Sequence, residues 1–201
     1  GTGSSAYDYS GHNNTGTLKN GPSWTTLSTG ETVLSFDGTD DYVDCGNGAN
    51  LQIPNKLTVV LWIKASPPTL TLHYPIAKHP GWAVWVDGTS PSYTNNIGIF
   101  YNNVTSVVYN GAFPSELRNT WVHIAFTYDK PNTELFVNGV SKGVNTNFSD
   151  DILTTANLHI GRRTPGDWRF GGLIDDVRIY NRALSADEIQ ALYSSSAGRY
   201  H

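Results

Sequence analysis

Four aspartates, Asp37, Asp40, Asp41 and Asp44, fall within eight residues around Gly38. Carboxylates on short stems at that density either cap turn amides in a tight acidic hairpin or offer oxygens to a hard cation such as Ca²⁺, although the spacing is not that of an EF-hand loop. A second pair, Asp175-Asp176, interrupts the apolar run LIDDVRIY, where carboxylates need a cation or hydrogen-bond donors to offset burial. Strand alternation would send the two to opposite faces.

Sugar binding is the other chemistry these residue types allow. It needs an exposed aromatic ring against the C–H face of a pyranose, with planar polar groups beside it. Two segments offer both. KHPGWAVWVDGTSPSYTNN (78–96) contains His79, Trp82, Trp85, Tyr93, Asn95 and Asn96, and RRTPGDWRFGG (162–172) contains Arg162, Arg163, Asp167, Trp168 and Arg169. Trp168 follows Pro165-Gly166 in a polar loop, where period-2 burial does not explain a large apolar ring, so it is expected to face solvent. Alternation is expected to bury one of Trp82 and Trp85.

Hydrolytic chemistry finds less support. Glu31, Glu116, Glu134 and Glu188 are scattered along the chain, whereas a glycosidase needs two carboxylates flanking one bond. The motifs G-x-S-x-G and H-E-x-x-H are absent. His123, beside Trp121, reads as a structural histidine; His73 and His79 share a strand face without a third metal ligand. Asn13, Asn103 and Asn147 begin Asn-x-Ser/Thr triplets, and the lone Cys45 permits no internal disulfide.

The elements that must position these residues are strands. The 201 residues carry 13 Asp against 4 Glu and few strong helix formers, with 6 Trp and 11 Tyr. Apolar runs of five to eight residues recur between Gly, Asn, Asp and Pro clusters, predicting strands near 32–36, 41–45, 57–64, 72–78, 82–87, 96–101, 104–110, 120–128, 133–138, 156–161 and 171–180. Both faces of 57–64 (LTVVLWIK) are apolar, which predicts a central strand covered on both sides. Asn138-Gly139 marks a two-residue hairpin, with Asp37-Gly38 and Asp87-Gly88 as weaker instances. One helix is expected at 185–195, where Ser185 and Glu188 form a capping box. The expected fold class is therefore all-β, a two-sheet antiparallel β-sandwich with one short C-terminal helix. One domain, 6–196, is expected between a linker or cloning scar (1–5) and a C-terminal tail (197–201). A net charge of −4 argues against nucleic acid and anionic membranes, and no apolar run is long enough to span a bilayer.

Several blocks together resemble a known family. LSFDGTDDYVDC (34–45), LTVVLWIK (57–64), NTWVHIAFTYDKPNTELFVNGV (119–140), LHIGRR (158–163) and FGGLIDDVRIYNRALSADEIQALY (170–193) are similar to the laminin-G-like jelly rolls of concanavalin A type, and YDYSGHNNTGTLKNG (7–21) fits the same pattern. The resemblance implies a jelly roll used as a carbohydrate-binding module, adhesion domain or spacer, on a secreted or cell-surface protein whose export signal lies outside this sequence. The E-x-D-x-x-E pattern of the hydrolases sharing the fold is absent, so a non-catalytic module is expected. It implies a structural Ca²⁺ held by Asp175 as leading carboxylate, with oxygens from Gly38 and Asp37 and contributions from Asp8 or Ser10. The expected partner is a glycan or polysaccharide, read by Trp168, Arg163, Asp167, Arg169, Tyr93, Trp85, His79 and Asn95; a protein ligand is the alternative.

Overall fold

A computed structural model describes residues 3–66, 72–87, 95–103, 105–166 and 168–200. The strands among them are β1 (Ser5–Ala6), β2 (Gly16–Lys19), β3 (Ser23–Thr26), β4 (Thr32–Asp37), β5 (Tyr42–Asp44), β6 (Lys56–Ala65), β7 (Leu72–Lys78), β8 (Trp82–Asp87), β9 (Ile97–Tyr101), β10 (Thr105–Tyr109), β11 (Val122–Asp129), β12 (Asn132–Val137), β13 (Val140–Asn145), β14 (His159–Ile160), β15 (Arg162–Arg163), β16 (Trp168–Arg169) and β17 (Gly171–Tyr180). They form an eight-stranded sheet in the order β1-β2-β5-β14-β7-β8-β9-β10 and a seven-stranded sheet in the order β13-β12-β11-β6-β17-β4-β3. All pairings are antiparallel, and β15 and β16 form a separate hairpin.

Period-2 alternation builds the layer between the sheets. Leu57, Val59, Leu61 and Ile63 of β6 meet Ile76, Trp82, Val84, Val86, Ile97, Ile99 and Tyr101 of the facing sheet in one core. The other side of β6 is covered as expected for a central strand. Val60 packs under helix α1 (Ala186–Ser196) with Leu184 and Ile189, and Trp62 lies with Val33, Trp121 and Tyr200. The capping box is present: Ser185 Oγ accepts from the Glu188 amide, and Glu188 accepts from the Ser185 amide at 2.9 Å. Asn138 and Gly139 both have positive φ, 50° and 76°, and close the β12–β13 hairpin.

Four expectations need revision. Asp37-Gly38 does not close a hairpin: β4 pairs with β3 and β17, whereas β5 pairs with β2 and β14, so the turn carries the chain from one sheet to the other. The strand expected over 156–161 shrinks to His159–Ile160. Ser5 already belongs to the sheet through β1, and the segment after α1 is no free tail, since Tyr200 is buried beside Trp62. Asp175 and Asp176 do not obey simple alternation, because the register with β6 shifts between Asp175 and Arg178 and Asp176 has φ 48°. The Asp87-Gly88 turn extends outside the described residues.

Candidate functional site

Alternation on β7, β8 and β9 leaves a second apolar layer on the outer face of the eight-stranded sheet. Tyr74, Ala77, Ala83 and Trp85 pack there, with Leu72 and Phe100 at the margin. Trp85 lies so close over Gly98 that a Cβ on that glycine would fall 2.0 Å from the ring. The β15–β16 hairpin stands over β7 as a ridge. Its base is pinched by the Gly161 amide donating to Pro75 O at 2.8 Å and the Phe170 amide donating to Gly161 O at 2.9 Å.

The ridge brings three of the expected residues together. Trp168 is 37% exposed and lies 5.5 Å, centroid to centroid, from Tyr74. Arg163, its cross-strand partner, holds its guanidinium 4.7 Å from the Phe100 centroid, 5.5 Å from Tyr74 and 5.9 Å from Trp168. Arg163 Nη2 donates to His79 Nε2 at 2.8 Å and to Asn103 Oδ1 at 3.3 Å. Burial, with the Arg163 charge acting in the same direction, lowers the His79 pKa. A neutral imidazole unprotonated at Nε2 can then accept from Arg163, and Asn103 Oδ1 takes its hydrogen bond from the same guanidinium. The result is an exposed indole beside a fixed guanidinium, imidazole and carboxamide, on a buried aromatic floor.

The other expected contacts have different roles. Trp85 is only 8% exposed and forms the floor rather than an open platform, while Trp82 lies in the inter-sheet core 5.6 Å from Phe126. Asn95 accepts from Arg118 at 2.9 Å, and its carbonyl accepts from Phe113, so it braces the segment after β10 at the end of β9 away from Asn103. Arg169 donates to Thr39 O at 2.7 Å and Gly166 O at 3.2 Å, tying the ridge to the acidic turn. Tyr93 and Asp167 lie outside the described residues. Sequence reasoning missed Tyr74, Phe100 and Asn103. Alternation in IGIFY (97–101) would have turned Phe100 outward, but Asn103 drew attention only as a glycosylation triplet.

The ligands expected for calcium do not converge. Asp37 pairs with Gly171, four residues before Asp175 on β17, which separates the two by roughly 13 Å at a strand rise of about 3.3 Å per residue. Asp175 instead accepts from the Tyr200 hydroxyl at 2.7 Å, and burial raises its pKa against that bond. Asp176 is paired with Arg178 and Arg199, both at 2.7 Å, so protein donors already meet the electrostatic demand of this carboxylate pair. Asp8 caps the amides of Ser10 at 2.9 Å and Asn14 at 2.8 Å, a local turn. The carboxylates that do approach one another belong to Asp37, Asp40 and Asp41, with oxygens within 4.8 Å. Asp41 is 5% exposed and accepts from the Asp37 amide; its pKa is raised by burial and by repulsion from Asp37 and Asp40.

The four glutamates occupy separate elements: Glu31 between β3 and β4, Glu116 in the 3₁₀ turn Ser115–Leu117, Glu134 on β12 and Glu188 on α1. No helix among the described residues is long and apolar enough to cross a membrane.

Known proteins share this framework. An adhesion G-protein coupled receptor V1 from Danio rerio is 23% identical over 155 residues, covering 73% of this chain but only 2% of the receptor. Domain 4 of AbnA, a GH43 extracellular arabinanase from Geobacillus stearothermophilus solved with arabinotriose, superposes with TM-score 0.69 and 22% identity, over 89% of this chain and 87% of that one. The binding domain of Paraclostridial Mosquitocidal Protein 1 gives TM-score 0.73 at 16% identity, over 94% of this chain and 49% of that one. The ligand-binding domain of botulinum neurotoxin serotype D, solved with N-acetylneuraminic acid, gives TM-score 0.70 at 18% identity, over 94% and 47%. The laminin G-like family model described as the concanavalin A-like lectin/glucanases superfamily matches residues 37–190, and the chain belongs to that superfamily.

Proposed function

We propose that this domain is a non-catalytic glycan-binding module of an extracellular or cell-surface protein, and that it takes its ligand on the outer face of the eight-stranded sheet beside the ridge. The observation that carries this reading is the exposed Trp168 indole next to the Arg163–His79–Asn103 network. A ring with one open face supplies the stacking surface a pyranose needs, and neighbours already fixed by hydrogen bonds present their remaining polar atoms at little further entropic cost. The arabinotriose and N-acetylneuraminic acid in the two similar structures support a sugar as the ligand class.

The test is a glycan array followed by titration of Trp168→Ala. The variant is expected to lose about 1–3 kcal/mol of binding free energy while remaining folded. Unchanged affinity with several kcal/mol of lost stability would make Trp168 a packing residue and remove the ridge from the site. A blank array with folded protein would remove the glycan reading and leave a protein as the ligand of this face.

A structural calcium ion is the second part of the proposal, at Asp37, Asp40 and Asp41 rather than at Asp175. It is supported by the mutual approach of the three carboxylates and the burial of Asp41, whose repulsion a cation would relieve. Millimolar calcium added to chelator-stripped protein is expected to raise the melting temperature, and Asp41→Asn to abolish the rise. An unchanged wild-type melting temperature would overturn it.

A further inference from the structure

The two arginines of β15 have no carboxylate partner among the described residues. On a chain of net charge −4, neither Arg162 nor Arg163 forms an ion pair among the described residues. Each is held instead on an aromatic ring: Arg162 4.2 Å from the Tyr42 centroid, and Arg163 over Phe100 and Tyr74. Both Nε atoms are buried without an acceptor. Arg162 makes no side-chain hydrogen bond among the described residues, and both arginines remain partly open to solvent. Asp44, which acts with Arg162 on the same His159 ring, is already engaged: it accepts from the Gly46 amide at 2.9 Å and from Asn157 at 3.1 Å, with His159 at 3.8 Å.

A guanidinium is a planar fork of five donors, matched to a planar two-oxygen acceptor. Stacking on a ring fixes its plane without using that fork in Arg162, whereas Arg163 commits Nη2 to His79 and Asn103 and keeps Nη1 for a ligand. Two such groups, kept from internal acids, form a preorganised receiver for anions. They serve opposite sides of the ridge, since Tyr42 lies on β5 and Phe100 on β9. Those strands are four positions apart in the sheet, roughly 19 Å at about 4.8 Å per strand.

We propose that the outer face selects acidic glycans, with Arg162 and Arg163 receiving sugar carboxylates on the two sides of the ridge. This rests on the glycan reading above and narrows it to a chemical class: uronic or sialic acid-containing chains longer than a monosaccharide.

The test uses matched pairs: oligogalacturonate against its methyl ester, sialyllactose against lactose, and lactose sulfate as a third arm. The carboxylated member of each pair is expected to bind at least tenfold tighter at low salt, with the advantage shrinking in 0.5 M NaCl, where exposed charges are screened. Arg162→Gln should bring the acidic-to-neutral ratio towards one, and Arg162→Lys, a point charge without the fork, should restore only part of it. Circular dichroism of each variant checks the fold, and the wild-type salt titration stands whatever the variants do. Equal affinity for neutral and acidic partners, or a preference for the sulfate, would overturn the carboxylate assignment while leaving glycan binding intact. Binding to none of the probes and to no glycan on the array would instead overturn the glycan reading beneath it.

Discussion

Lys78 is a deeply buried lysine, 2% exposed at the end of β7. Its ammonium donates to Asn47 Oδ1 and to the Ala156 carbonyl, fastening two loops, and no carboxylate pairs with it among the described residues. Burial lowers its pKa from 10.5 to about 8. The folded protein therefore binds fewer protons than the unfolded chain between these values, and stability must rise with pH across that window. The full shift corresponds to about 3 kcal/mol, of which about 1–2 kcal/mol falls between pH 7.5 and 9.5. Cys45 acts in the opposite sense: burial pushes its thiol up to about 12, so the folded state keeps a proton the unfolded chain loses above about pH 9. Wild type alone would show only the difference. Urea unfolding of wild type and Lys78→Met at several pH values isolates the lysine, because Cys45 is common to both. The wild-type free energy should gain about 1–2 kcal/mol over the variant's between pH 7.5 and 9.5. Parallel curves would refute the account of Lys78 as a desolvated ammonium.

On the acid side, burial lowers His123 to about 4, and its Nδ1 is buried without a partner. Stability should fall as pH drops from about 6.5 towards 4, and urea unfolding of His123→Phe should show a shallower acid limb by up to about 3 kcal/mol. Asp175→Ala and Tyr200→Phe should each cost about 1–3 kcal/mol, with a double mutant no worse than the larger single loss, as a thermal or urea double-mutant cycle would reveal. Gly98→Val should destabilise the fold by several kcal/mol, read by denaturant midpoint, because its side chain must enter the space of the Trp85 ring.

Where side chains dictated the arrangement, the sequence was enough. The doubly apolar β6, the Asn138-Gly139 turn and the Ser185–Glu188 cap are local patterns with one physical solution each, and the fold class followed from them. Strands β2 and β3, GTLK and SWTT, were illegible because each packs a single large apolar side chain, Leu18 or Trp24, against the core, too few for an alternation to register. The site was half legible. Trp168, Arg163 and His79 stood out by type, but Tyr74 and Phe100 reach them through pairing across three strands, which no local window encodes. Asp175 misled for a related reason: Tyr200, which satisfies it, and Arg199, which pairs with the neighbouring Asp176, come from the end of the chain, where a C-terminal tail was expected.

The pinched base of the β15–β16 ridge has an evolutionary consequence. Backbone hydrogen bonds at Gly161 and Phe170 close the excursion before it leaves the sandwich, and β14 and β17 enter different sheets on either side of it. Residues between these anchors can change in length and chemistry without shifting any strand's register, so new specificities can arise there by short insertions or replacements while the scaffold is inherited unchanged. The ridge is thus an interchangeable cassette, and relatives with the same sandwich are free to diverge in what they recognise by rewriting this one hairpin.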